Sequence, residues 1–395
     1  MKLVQPEELW QIRAINTHSH NMVDWQPPCS LYAMLQKTYS GWLIRDPGDC
    51  PAGIQEYFSR LSANSYFSWW RKSVELLYGD GRPLTVESWD WYDQAVRRAY
   101  SEQPEHNTQL LRERCGYDAV ILDDYHKPGC DHGAPGLFRP AYRCDMFLCG
   151  WAPDVSDMNG NCARIWFERR PATLDEYTDE VEKAVDKAVR AGCKALKIAI
   201  AYERTLEFGP DTRPGALKAW QTGGKTAAQR KAFGDYMMFM LAHIAAVHDL
   251  PVQIHTGLGA LQGSRALGLR ALIERNPATK FDLFHAGYPW CGDVLALAHN
   301  YPNAAVDLCW LPLISTARAV SFLQEALEVL PADKLLWGCD TWTAEESYGA
   351  RMAMHHCLLE VLNQLIAEGT INHAYGVQLA RGILYGNAQR LYAFE

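Results

Sequence analysis

Apolar residues in this chain gather in short runs, and the runs recur at intervals that leave room for a helix between them. Eight segments carry the pattern, at 12–18, 118–124, 144–150, 193–201, 251–257, 281–287, 304–310 and 335–341. Short apolar runs of this kind predict buried strands of a parallel sheet covered by helices. From the fourth run onward, helical patterns fill the gaps. TLDEYTDEVEKAVDKAVRAGC sets charges on one face and Val/Ala at helical spacing, with Gly192 as its stop. RKAFGDYMMFMLAHIAAVHDLP, GSRALGLRALIERNP, VLALAHNYPN and AVSFLQEALEVLPADK repeat the arrangement. Three of these five end in Pro or Asn-Pro shortly before the next strand, which halts a helix and starts an extended segment. Strand alternating with helix eight times predicts an α/β fold, a (β/α)8 TIM barrel formed by 1–395 as one unit.

Residues 21–117 break the rhythm and are too long for a loop. They hold Trp25, Trp42, Trp69, Trp70, Trp89 and Trp91, and IQEYFSRLSANSYFSWWRKSVELLYG reads as helical. A mostly helical insertion after the first strand is expected, lying over the C-terminal rim where barrel enzymes build their substrate sites. Most of these tryptophans are expected to form a satellite core, with one or two left to line the pocket.

Composition narrows the class. Charged residues are 21% of the chain and hydrophobic ones 48%, as in ordinary globular proteins. The net charge is −8 and no Lys/Arg-rich run occurs, so neither nucleic acid nor an anionic membrane is an expected partner. The longest apolar stretch, MMFMLAHIAAVH, is too short to span a bilayer and reads as a buried helix. The N-terminal residues carry no secretory pattern. Twelve cysteines are scattered without a CxxC pair, which suits a reduced, cytoplasmic setting. A small-molecule substrate is expected; a homo-oligomer is compatible with the chain, and the oligomeric state is left open.

The chemistry lies where the runs end. His18 and His20 close the first, Lys197 lies in the fourth, His255 and His285 follow Ile254 and Phe284, and Asp340 shares a strand face with Gly338. Side chains two apart on a strand face the same way, so Asn16, His18 and His20 are expected to point into the barrel. Each residue alone is a weak signal, because a lone core histidine is usually just hydrogen-bonded. The series is strong because a barrel brings every strand's C-terminal end to one rim, where these side chains could share a divalent ion. Lys197 faces inward between Ala195 and Ala199, while Leu196, Ile198 and Ile200 face the helices. An inward lysine is costly unless paired or modified. Carbamylation would make it a carboxylate able to bridge two metals; an ion pair with Asp340 or another carboxylate is the alternative. Tyr202, Tyr288, Trp310 and Trp342 lie just past strand ends and are candidate substrate contacts, though rim packing explains each equally well. Arg164, Arg204 and Arg318 read first as solvated surface residues.

The motifs THSH (17–20), LKIAIAY (196–202), IHTGLG (254–259), FHAGYPW (284–290), GCDTW (338–342) and GILYGNAQRLY (382–392) resemble the amidohydrolase superfamily. The similarity is to its amidohydrolase-2 group, which includes the amidohydrolase-like domain fused to glutamine synthetase in some fungal and bacterial proteins. It covers most of the barrel. The resemblance implies that His18, His20 and Asp340 hold one metal and that a carbamylated Lys197 bridges to a second, held by His255 and His285. A one-metal version would use His18, His20, His255 and Asp340, with His285 beside the substrate. Zinc is the first expectation, with manganese or iron as alternatives.

The expected reaction is hydrolysis of an amide, ester or lactone in a small molecule. Metal-activated water would attack the carbonyl, and Asp340 would move the proton. Rival readings are a metal-dependent decarboxylase or uronate-isomerase-like enzyme on the same barrel, and a non-catalytic scaffold.

Overall fold

The structure, a computed structural model, describes residues 2–22, 29–152, 155–209 and 213–394. Its eight parallel strands are β1 (Ala14–Ser19), β2 (Tyr117–Leu122), β3 (Phe138–Arg143), β4 (Ala195–Ile198), β5 (Pro251–Ile254), β6 (Lys280–Leu283), β7 (Ala304–Asp307) and β8 (Leu335–Leu336). Each pairs with the next in chain order. The segment after β8 returns to β1: Asp340 N–H donates to His18 O and His20 N–H to Thr341 O, both at 2.9 Å. These bonds join the sheet's two edges, so the fold is a (β/α)8 barrel.

Alternation along the strands sorts the side chains into two cores. Leu196 and Ile198 turn outward into the large core under the helices, while Ala195 joins Ile15, Ala119, Ile121, Ala141, Ala305 and Leu336 inside. Tyr392 and Ala388, from the closing GNAQRLY segment, belong to the same inner layer.

Two expectations fail locally. The third strand is not 144–150 but Phe138–Arg143, and Asp145–Cys149 forms a short helix. The apolar run MFLC buries its side chains as that helix. The strand FRPAYR is hidden from a hydrophobicity reading by Pro140 and by Arg143, whose charge is buried against carboxylates. In β1, the regular Asn16–His18–His20 alternation is broken. Ile15 joins the inner layer and Thr17 bonds Asp307. Pairing with β2 then shifts between Asn16 and Ser19, an irregularity that resets which side chains face the mouth. Asn16 instead bonds Cys339, through both its N–H and its thiol.

Between β1 and β2 run the helices Leu31–Lys37, Tyr39–Leu43, Pro51–Leu61, Ser65–Tyr78, Trp89–Glu102 and His106–Gln109. The stretch that reads as helical forms two helices, because the Asn64 side chain accepts from Phe67 N–H and starts the second. Trp70 and Trp89 are buried there with Tyr57, Phe67 and Tyr92 in a separate core. Trp42 is exposed; Trp25 lies outside the described residues. MMFMLAHIAAVH lies in the helix Ala227–Val247. No helix among the described residues is long and apolar enough to cross a membrane.

Candidate metal centre

Strand ends bring five of the predicted side chains to one mouth. His18 and His20 come from β1, His255 and His285 from just past β5 and β6, and Asp340 from beyond β8; all are buried. The backbone there is unusual. His285, Ala286, Trp310 and Asp340 hold φ of 63°, 46°, 66° and 53°. Non-glycine residues rarely adopt these left-handed angles, and such positions cluster at functional sites.

Asp340 is the hub. Its Oδ1 lies 3.1 Å from His20 Nε2 and 3.8 Å from His18 Nε2, and its Oδ2 lies 3.8 Å from His285 Nδ1. His18, His20 and Asp340 place one potential ligand atom each within 4.8 Å of one another, and His285, Cys309 and Asp340 do the same. His255 meets His285 rather than Asp340, Nδ1 to Nε2 at 2.8 Å. Lys197 lies inside the barrel, its Nζ 3.9 Å from the Phe284 ring centroid and without a hydrogen-bond partner among the described residues.

Burial sets the protonation states. It pushes His18 and His255 well below the usual imidazole range, with nearby Lys197 adding to both, and brings His285 to about 4. Burial alone would raise Asp340. The hydrogen bond from His20 and the nearby imidazoles outweigh it and hold the carboxyl well below its ordinary range. Burial also lowers Lys197, against the pull of Asp123 and Asp340.

The donor set fits a divalent cation. Cys309 O, 3.1 Å from His285 Nδ1, and Leu258 O, beside His255 Nε2, can only accept. Those contacts favour the tautomers with the N–H on the outer nitrogen of each neutral ring. The facing nitrogens, His285 Nε2 and His255 Nδ1, are then both lone pairs. His18 Nδ1 is buried without a partner among the described residues. The facing pair His255 and His285 is then a poor hydrogen-bond network, and His18, His20 and Asp340 are a good set of ligands for a first-row ion.

A family model for amidohydrolases matches residues 170–394. The chain belongs to the amidohydrolase family. Protein fluG of Emericella nidulans is 34% identical over 148 residues, covering 36% of this chain and 17% of that protein. This family member therefore matches only a small part of the fluG protein's length. Two solved structures share the fold across 98% of the chain. One, from Lactobacillus casei and described as a metal-dependent hydrolase, is 18% identical with a TM-score of 0.73 over 97% of its length. The other, the uronate isomerase of Thermotoga maritima, is 16% identical with a TM-score of 0.78 over 96%.

Several polar residues of this mouth escaped the motif reading. Asp123, just past β2, lies 4.0 Å from His18 Nε2 and 3.9 Å from His20 Nδ1. Arg143 grips it through Nε at 3.1 Å and through Nη2, and reaches Asp145 at 3.2 Å. Tyr125 OH lies 3.1 Å from His20 Nε2, and Tyr39 OH donates to Asp340 Oδ1 at 3.4 Å. The available signal was position: Asp123 in VILDDY ends its strand as His255 does. Of the expected substrate contacts, Trp342, Tyr202 and Trp310 have rings beside His20, His255 and His285. Tyr288 follows the turn after His285 and packs against the large core. Arg204 is paired with Asp235, and Arg164 and Arg318 are exposed.

Proposed function

We propose that the chain is a metal-dependent hydrolase cleaving an amide, ester or lactone in a small molecule. The observation that supports this most is the convergence of His18, His20 and Asp340 within 4.8 Å at the barrel mouth. These three would hold one ion, zinc first and manganese or iron as alternatives. His255, His285 and a carbamylated Lys197 would hold a second. Bound there, a divalent cation supplies a Lewis acid that polarises a carbonyl and brings the pKa of a water towards neutrality.

The side chains do the rest. Asp340, held as an anion, takes the proton from the attacking water and passes it to the leaving nitrogen or oxygen. His285, 3.8 Å from Asp340 Oδ2, flanks the reacting carbonyl. Tyr39 OH, donating at 3.4 Å, fixes the other carboxylate oxygen. Trp310, Trp342, Tyr202 and Tyr288 form the substrate wall. The cysteines other than Cys29 are free thiols among the described residues, which fits a reducing, cytoplasmic setting.

Metal analysis of the purified chain, followed by a panel of small amides, esters and lactones, tests this reading. Stoichiometric metal and hydrolysis that chelation abolishes are the expected results. A second reading is supported by the way His255 turns to His285 and Leu258 rather than to Asp340. It is a one-ion enzyme that decarboxylates or isomerises an acid on the same barrel. One metal per chain, an unmodified Lys197 and no hydrolysis would favour it. A chain that purifies free of metal would favour a scaffold.

A further inference from the structure

Five aromatic rings wall the mouth. Tyr125 and Trp342 flank His20 with centroids at 4.3 and 5.0 Å, and meet each other at 5.1 Å. Tyr202 covers His255 at 4.5 Å. Trp310 touches His285 at 5.4 Å and Tyr39 at 4.4 Å. Polar capacity among them is limited to phenol oxygens and two indole N–H groups, those of Trp310 and Trp342, both buried without a partner among the described residues.

Charge at the mouth is mostly negative. Asp340 and Asp123 both face it, and the cation beside the rings is Arg143, 4.6 Å over Tyr125. Arg143 is already bonded to Asp123 and Asp145, and Lys197 is enclosed over Phe284. A hollow of about 280 Å³ is lined by Tyr125, Trp342 and His20 together with the polar Asp123, Asp124, His126 and His132, close to the lower limit of about 300 Å³ for small-molecule sites. Lys127 lines its rim but is exposed, where water and salt screen its charge.

We propose that the substrate places an uncharged aromatic ring next to the bond that reacts, stacked among these side chains. The inference rests on the hydrolase reading. In the reaction, water adds its oxygen to the carbonyl carbon, the C–N or C–O bond breaks, and the water's proton leaves on the amine or alcohol. A flat ring matches walls made of ring faces and edges. A carboxylate in the ring's place would find no free side-chain cation among the described residues, since Arg143 is committed and Lys197 enclosed, while the ions of the metal centre would be engaged by the reacting carbonyl.

Binding and turnover separate the possibilities. Metal-loaded protein is titrated with benzamide, cyclohexanecarboxamide and D-glucuronate, following tryptophan fluorescence and heat. Benzamide is expected to bind at least about tenfold more tightly than the saturated ring, the scale on which apolar pockets discriminate. Trp342→Leu should erase that preference and Trp342→Phe restore most of it, with thermal melting confirming that both fold. Equal binding of the two amides, or tighter binding of glucuronate, overturns the proposal. Turnover is then compared on phenyl acetate, acetanilide and ethyl acetate. Hydrolysis of the aliphatic ester as fast as the aryl ones sinks the aromatic preference and leaves the hydrolase reading standing. Isomerisation of glucuronate without hydrolysis sinks the hydrolase reading itself, whichever amide binds better.

Discussion

His255 and His285 face each other nitrogen to nitrogen at 2.8 Å, and when each ring gives its N–H to the carbonyl on its far side, both facing nitrogens are lone pairs. Two neutral imidazoles in that arrangement repel, and a cation relieves them. Zinc should therefore raise the melting temperature of the metal-free protein. Ligand at about 100 times its Kd stabilises by about 2.7 kcal/mol. His285→Phe should bind one equivalent fewer and show a smaller zinc-induced shift, while the metal-free variant melts no lower than the parent. An unchanged stoichiometry would remove His285 from the ligand set.

Asp340 is the residue whose replacement should separate chemistry from folding. Its backbone N–H, which helps to close the barrel on His18 O, is untouched by Asp340→Asn. The amide keeps the shape but cannot take a proton, so turnover should fall by about 10²–10⁴, the usual worth of a positioned acid–base group. Circular dichroism and melting should be close to the parent's. Near-parent turnover would remove Asp340 from proton transfer.

Gly338 holds the seam between β8 and β1. A Cβ there would lie 2.5 Å from Thr17 Oγ1 and 2.7 Å from His18 N, and the second contact is with backbone that cannot rotate away. Gly338→Ala should cost about 1–3 kcal/mol, as overpacking of a tight core does, and should displace His18. Denaturant melts and metal content are expected to fall together. A stable variant with full metal content would show that the seam is looser than this geometry.

The limits of sequence reading at this site follow from what each segment buries. β5 and β6 are legible because they are apolar up to the histidine that follows them, PVQI before His255 and FDLF before His285. β3 is not, because its inward side chain is Arg143, and a buried ion pair looks on paper like a surface charge. Asp123 was passed over for a related reason, since an aspartate at a strand end reads as turn chemistry until Arg143 and His18 are seen around it. The irregularity in β1 depends on pairing with β2, about a hundred residues away, and local alternation cannot register it.

Lys197 offers a direct chemical test. Burial lowers its pKa, which favours the neutral amine, and only a neutral amine adds to carbon dioxide. With bicarbonate and zinc present, the hydrolase reading expects density for a carbamate on Nζ and a second metal equivalent. Lys197→Met should lose that equivalent while keeping the fold, because a thioether suits the face of Phe284 at least as well as an amine does. Two metals in the methionine variant would contradict a bridging role.

Glu346 gives the fold a pH dependence that is independent of any ligand. Its carboxyl is fully buried, and burial lifts it to about 8 from an ordinary 4.5 despite bonds from Tyr66 OH and the N–H groups of Trp342 and Thr343. Between those two values the folded chain holds a proton that the unfolded chain has released. Stability from this group is thus complete below about 4.5, declines as the pH rises and is gone above about 8. Asp145, lifted by burial to about 7, slopes the same way, so Glu346→Gln should flatten the decline without abolishing it. Measured on chelated protein from pH 5 to 8.5, the glutamine variant should match the parent at the acid end and melt higher at the alkaline end. Parallel curves would mean that Glu346 is ionised in the folded chain, with Tyr66 and the helix start at Thr343 carrying its charge.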